Sequence, residues 1–241
     1  MSSFQKSYKV GWENHGDDHN PDFAVLALPA EIYATTHYGV DTLHRLESHF
    51  LAHLRARPDG ILRGFLTTHS TSELFTHLCA PEAGLLVLHD RRRWNMAGFL
   101  LYFAGVSPGI RPEVAAAMRV HGASEGREES EIGYVEVCCI KRGSWRIAYP
   151  DLHARMVIDL RNRGVQTMYG IVHTENPSLR RHKSLGYEIV SGENPILLPV
   201  MGQGQQPSRY HLLRAEVDSP HQDRLIQKMH DRNLAFMNLN L

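Results

Sequence analysis

The sequence predicts an α/β (α+β) domain with a mixed central β-sheet flanked by helices. Three observations carry this expectation. Short apolar runs bounded by turn residues crowd the first part of the chain, amphipathic helical periodicity recurs among them, and beyond residue 130 strand, helix, strand, helix and strand alternate. At 241 residues the chain is long enough to bury a substantial core as one domain. Lys and Arg total 26 and Asp and Glu total 26, so net charge favours neither nucleic acid nor a membrane surface. No apolar run approaches the roughly 20 residues of a membrane span, and the polar start MSSFQKSYKV carries no signal-peptide core. The 3 cysteines form no disulfide framework and no Cys-x-x-Cys pair, which fits a reduced, cytoplasmic setting.

The elements are read in order. Residues 1–22 form a polar N-terminal extension, and FAVLALPA (23–30) is the first strand. A helix follows, with Leu43, Leu46, Phe50 and Leu54 on one stripe and a stop at Pro58 and Gly60. TSELFTHLCA is a second helix, capped by Thr71 or Ser72. GLLVLHD and MAGFLLYFAG form an antiparallel hairpin across RRRWN, and residues 106–130 are a polar insertion with one short helix. EIGYVEVCCI is apolar at nearly every position and is therefore placed centrally. In PDLHARMVIDLRNRG, Pro150 suits the first helical position and Gly164 the C-terminal end. VQTMYGIVH, ENPSLRRHKSLG, YEIV and HLLRAEV continue as strand, helix, strand and strand, with SGENPILLPVMGQGQQPSR a loop. Ser219 and Gln222 have the form of a capping box opening a C-terminal helix. The organisation is thus a single domain over 23–217 and a C-terminal helix over 218–241. Leu225, Met229 and Phe236 line one stripe of that helix, suited to its own core or to an interface, including one with a second copy.

Sixteen histidines invite a metal. His49 and His53 lie one helical turn apart, yet no third ligand is placed beside them, so no metal site is expected.

The segment Glu131–Val190 resembles the core of the GNAT superfamily of N-acyltransferases. The resemblance rests on the strand YVEVCCI, the turn KRGSWRIAYPDL, the following helix and strand, and the ending HTENPSLRRHKSLGYEIV. In that ending Asn176, Leu185, Gly186 and Tyr187 fall at the family spacing. The resemblance implies a GNAT-like mixed sheet and acyl transfer from acyl-CoA, by default acetyl-CoA, to an amine. The turn departs from the family's Arg/Gln-x-x-Gly-x-Gly/Ala pattern. With Arg142 in the first slot, Trp145 and Ile147 fill the glycine positions. Shifted by one, Arg146 and Ala148 fill them and Gly143 stands where Arg or Gln belongs. A pyrophosphate binds such a turn through successive backbone N–H groups at a helix N-terminus, and glycine keeps a Cβ out of the way. Trp145 or Ile147 narrows that approach, and Pro150 removes a donor. Charge remains favourable, because nine basic residues face three acidic ones between 141 and 183. Arg142, Arg146, Arg180 and Arg181 are best placed to meet phosphates by side chain.

Further roles follow from the resemblance. Gly143, Ser144, Ile147 and Ala148 would line the donor turn. Main chain at Val137 and Cys139 would hold a pantetheine arm where YVEVCCI and MYGIVH splay apart, with Asn176 nearby. Glu136, the only ionisable side chain inside its strand, is the candidate base, with burial expected to raise its pKa. His182 occupies the place of the family's tyrosine acid, with an ordinary pKa near 6.5. Cys138 and Cys139 are read as packing residues rather than nucleophiles. The altered turn leaves two other readings standing. One is a transferase that takes its acyl group from an aminoacyl-tRNA or an acyl carrier protein, the former suiting Arg91, Arg92 and Arg93. The other is a GNAT-fold binding subunit without catalysis. The acceptor is not legible.

Overall fold

A computed structural model describes residues 13–14, 23–28, 37–55, 69–90, 95–140, 145–176, 179–192, 194–198 and 207–239. The helix stop at Pro58 and Gly60, the arginines at 91–93 and the turn at 141–144 lie outside the described residues. The strands are β1 (Glu13–Asn14), β2 (Phe23–Leu28), β3 (Ala83–Asp90), β4 (Asn95–Ala104), β5 (Ile132–Ile140), β6 (Thr167–His173), β7 (Glu188–Ile189), β8 (Ile196–Leu198) and β9 (Ser208–Glu216). The helices are α1 (His37–Arg55), α2 (Thr71–Leu78), α3 (Pro112–Ser124), α4 (Trp145–Asn162), α5 (Leu179–Ser184) and α6 (Pro220–Leu239). One mixed sheet runs in the order β1-β2-β3-β4-β5-β6-β9-β7, with β8 also paired to β9. Only the β5–β6 pair is parallel among the described strands.

Alternation along the strands builds two cores. Leu85 and Val87 of β3, with Phe99, Leu101 and Phe103 of β4, face one side. There they meet Val40, Leu43 and Leu46 of α1, Leu74 and Leu78 of α2, and Val114, Ala115 and Met118 of α3. Leu86, Leu88, Leu100 and Tyr102 face the other side, against Leu152, Met156, Val157 and Leu160 of α4. Leu225 and Ile226 of α6 pack at the edge of this second core. Central strands buried on both faces read as continuous apolar runs, as β3 and β4 do.

Several local readings change. Residues 1–22 contribute β1, which pairs with β2, so FAVLAL is the second strand. The cap of α2 is Ser70, not Thr71 or Ser72. Its hydroxyl accepts from the Glu73 N–H at 3.1 Å, and the Glu73 carboxylate accepts the Ser70 N–H at 2.7 Å. Such a reciprocal cap is worth about 1 kcal/mol. The insertion 106–130, read as polar with one short helix, holds a helix of 13 residues whose Val114, Ala115 and Met118 close the first core. The stretch 191–209 supplies β8, because pairing with β9 satisfies a backbone that has no strong local strand signal. Helix α4 starts at Trp145, so Pro150 sits inside it and interrupts an intrahelical bond instead of occupying the first position.

The expected capping box of α6 forms by half. The Gln222 N–H donates to Ser219 Oγ at 3.3 Å, but the Gln222 side chain turns inward. Its amide donates to the Leu185 carbonyl at 2.7 Å and its oxygen accepts from His153 Nε2 at 3.1 Å. Gly186 makes this docking feasible. Its φ is +89°, and a Cβ there would lie 2.9 Å from His221 Cδ2 and 3.0 Å from Gln222 Nε2. Gln222 and Met229 are fully buried, so α6 covers its own core. The Phe236 side chain lies outside the described residues.

Candidate functional site

The site grows from an irregularity in β5. Against β4, Leu101 pairs with Val137 and Tyr102 with Val135, which leaves Glu136 as the extra residue of a β-bulge. Ile132 and Tyr134 face the first core before the bulge, and Val137 and Cys139 face it afterwards, so the alternation reverses across Glu136. The parallel ladder with β6 ends at the same level, at Val135–Gly170, although both strands continue. Beyond it, among the described residues, the β6-facing main chain of β5 has no strand partner, and Val137 and Cys139 lie on that stretch.

Glu136 is 8% exposed and bonds His69, not an arginine or solvent. His69 Nε2–H donates to Glu136 Oε1 at 2.9 Å, and Nδ1–H donates to Glu47 Oε1 at 2.7 Å. The His69 backbone N–H adds a bond to Glu47 Oε2 at 3.1 Å, and the His69 carbonyl accepts from His44 Nδ1 at 2.8 Å. Burial alone would pull the His69 pKa down. The hydrogen bonds to Glu136 and Glu47, with their charges, outweigh it and hold the imidazole up to about 10. At neutral pH one imidazolium therefore bridges two buried carboxylates, leaving one negative charge uncompensated within the triad. Glu136 Oε2 is buried and has no hydrogen-bond partner among the described residues. Tyr134 lies two residues away on the same side, its hydroxyl pushed well above the ordinary range by burial and then by the Glu136 charge.

His77 approaches from α2, its ring centroid 5.2 Å from that of His69 and edge-on at 75°. Its Nε2–H donates to the Gly109 carbonyl at 3.1 Å, and burial depresses its pKa, so it is neutral.

His182 lies across the sheet from this cluster. Tyr149 Oη donates to His182 Nδ1 at 3.3 Å, and the ring stands edge-on to Tyr149 and Tyr187. Burial, then the Arg181 charge, pushes its pKa down to about 4, so the imidazole is neutral at pH 7 rather than half-protonated. Burial also raises both cysteine thiols: Cys138 packs with the second core and Cys139 with the first. The donor turn is described in part. Arg142, Gly143 and Ser144 lie outside the described residues, and Arg146, Ile147 and Ala148 are described only as backbone in the first turn of α4. The N–H groups of that first turn have no intrahelical acceptor and point from the positive helix end. Arg180 and Arg181 are exposed on α5, and the Asn176 carbonyl accepts the Leu179 N–H at 3.1 Å just before that helix. Part of the basic cluster is structural instead. Arg161 pairs with Asp218 and Asp223, and Arg163 with Asp159.

The bulged strand, the splay after it and the helices following both splayed strands decide the architecture. The fold is that of the GNAT acyltransferases. A structure described as a probable acetyltransferase from Staphylococcus epidermidis superposes with a TM-score of 0.53 at 11% identity, covering 80% of this chain and 98% of its own. FeeM, an N-acyl amino acid synthase from uncultured soil microbes, gives 0.51 at 12% identity, covering 81% and 92%. No family model matches the chain, and no curated protein matches it in sequence. At these identities the likeness is one of fold. Glu47, His69 and His77 are site residues that the sequence reading missed. A signal existed for Glu47, which stands seven residues after Val40 on the apolar stripe of α1, where a buried charge requires a partner.

Proposed function

We propose that the protein is an N-acyltransferase that moves an acyl group from a pantetheine thioester, acyl-CoA in the first instance, to the amine of a small molecule. Glu136 carries this reading. One of its oxygens is anchored on His69, and the other is buried without a partner among the described residues, at the level where the β5–β6 ladder ends. A base held at one oxygen and open at the other suits an incoming amine. The uncompensated negative charge of the Glu47–His69–Glu136 group favours an ammonium nearby, and Glu136 takes its proton. The amine lone pair attacks the thioester carbonyl, the C–N bond forms, the C–S bond breaks and the thiolate leaves. Main chain at Val137 and Cys139 holds the pantetheine arm. His182, neutral and bonded through Nδ1 to Tyr149, offers its Nε2–H to the departing sulfur as a hydrogen bond. The first turn of α4, with Arg146, Ile147 and Ala148, together with Arg142, Gly143 and Ser144 before it in sequence and Arg181 of α5, would receive the phosphates, and Asn176 sits between β6 and α5.

The test is calorimetric titration with acetyl-CoA and CoA, followed by thiol release across a panel of amines for wild type and Glu136→Gln. Micromolar binding with turnover that falls about 10²–10⁴-fold in the variant supports the reading. Turnover unchanged in the variant removes Glu136 from the chemistry. Failure to bind CoA, with turnover of carrier-protein or aminoacyl-tRNA donors, moves the donor. Failure with every donor leaves a binding subunit.

A further inference from the structure

Two buried acceptor atoms near the bulge lack partners among the described residues: His77 Nδ1 and Glu136 Oε2. His77 is 6% exposed and Glu136 8%. A buried polar atom left without a partner is destabilising, so two of them in one cluster point to a shared occupant. His69, His77 and Glu136 each bring one ligand atom into a group in which all three lie within 4.8 Å of one another.

The rest of the cluster defines the occupant. Each imidazole spends one ring nitrogen on an orienting contact and presents the other to the group. His77 Nε2–H is held by the Gly109 carbonyl at 3.1 Å, leaving Nδ1. His69 Nδ1–H is held by Glu47 Oε1 at 2.7 Å, leaving Nε2. The Glu47 carboxylate is itself fixed by the His69 backbone N–H at 3.1 Å. A carboxylate or backbone carbonyl behind each imidazole is the outer-shell arrangement that fixes tautomer and orientation in metal-ligating histidines. Two imidazoles and one carboxylate suit a borderline divalent ion, and three protein ligands leave a fourth position open.

We propose that His69, His77 and Glu136 form a binding site for a divalent transition-metal ion such as Zn²⁺. The ion takes the place of the proton on His69 Nε2, which passes to solvent, and Glu47 stays behind His69 as a positioning residue. His69 Nε2 and Glu136 Oε1 already stand 2.9 Å apart. Ligands around an ion at about 2.0–2.1 Å sit roughly 3.4 Å from one another, so closure asks His77 to approach by up to about 1.4 Å and the His69–Glu136 pair to open by about 0.5 Å. His77 shares α2 with the cap at Ser70, immediately after His69, so one short element carries both nitrogens. Because Glu136 cannot ligate an ion and accept a proton from an amine together, metal and acceptor compete. That competition rests on the proposed function, whereas the site itself does not.

The experiment uses the full chain stripped with chelator and titrated with Zn²⁺ alone, with chelator competition to set the affinity. Wild type should take one equivalent. His77→Gln keeps an amide N–H for Gly109 but loses the ring nitrogen, and should weaken binding at least 100-fold. Glu47→Gln should weaken it about 10–100-fold, and His49→Gln, on the exposed side of α1, should not change it. Co²⁺ in the wild-type protein should give the intense visible bands of a low-coordinate nitrogen–oxygen site, a readout that does not depend on any variant folding. No stoichiometric ion, six-coordinate cobalt bands, or equal affinity in wild type and His77→Gln would overturn the proposal and leave water as the occupant. A chain that transfers acyl groups yet binds no zinc sinks this inference alone. One that binds zinc and transfers nothing sinks only the proposed function.

Discussion

Replacing His69 by leucine removes the one cation between two buried carboxylates. Glu47 is 2% exposed and Glu136 8%, so neither reaches water without local opening. Removing one partner from a buried ion pair costs about 3–5 kcal/mol, because an uncompensated charge stays behind. Here two charges stay behind, and the upper half of that range applies. For a domain of this size, 1 kcal/mol corresponds to roughly 2–4 °C, so melting should fall by about 8–20 °C. Glu136→Gln should cost clearly less, since His69 then keeps Glu47 at 2.7 Å. The double variant His69→Leu/Glu47→Leu should recover part of the loss, with a coupling of about 1–3 kcal/mol. Urea unfolding with the slope held constant measures all of these. A His69→Leu protein within 1 kcal/mol of wild type, or strictly additive single variants, would refute the bridging imidazolium.

Three further outcomes are expected. His153 is fully buried on Gln222, and burial pushes its pKa down to about 3, against about 6.5 when unfolded. The unfolded chain therefore binds a proton that the native state refuses, and stability falls as pH drops below 6.5 by about 1.4 kcal/mol per unit from this group. His153→Gln should flatten the stability profile between pH 4 and 6 by that slope, and an unchanged slope would contradict it. Gly186→Ala should cost about 1–3 kcal/mol, because the residue sits at φ +89° and the new Cβ meets His221 and Gln222. A thermal melt checks this. His182→Gln should lower kcat less than tenfold and leave the acidic limb of the pH–rate profile in place, since the imidazole is already neutral above about pH 4. Loss of that limb in the variant would make His182 the titrating acid.

Much of the fold was legible because it rests on local pattern. The alternation and continuous apolar runs of β3, β4 and β5 mark a sheet buried on both faces, and the Leu-Gly-Tyr ending marks the turn after α5. Glu136 stood out as one charge in an apolar strand. Where local signal is weak, the reading slipped. Pro150 fits a first helical position so well that it hid five residues of α4, and β8 exists only because β9 offers it an edge.

By itself the chain determined a mixed α/β frame, the central strand and its lone glutamate, since hydrophobic period and turn chemistry act within a few residues. Tertiary structure alone decided what that glutamate touches. Glu47 comes from α1, His77 from α2 and His69 from the residue before the α2 cap, 89 and fewer residues upstream in sequence. A bulge in β5 rotates Glu136 toward them. Burial then forces each charge to find a partner, because an ion removed from water is stable only when another group compensates it.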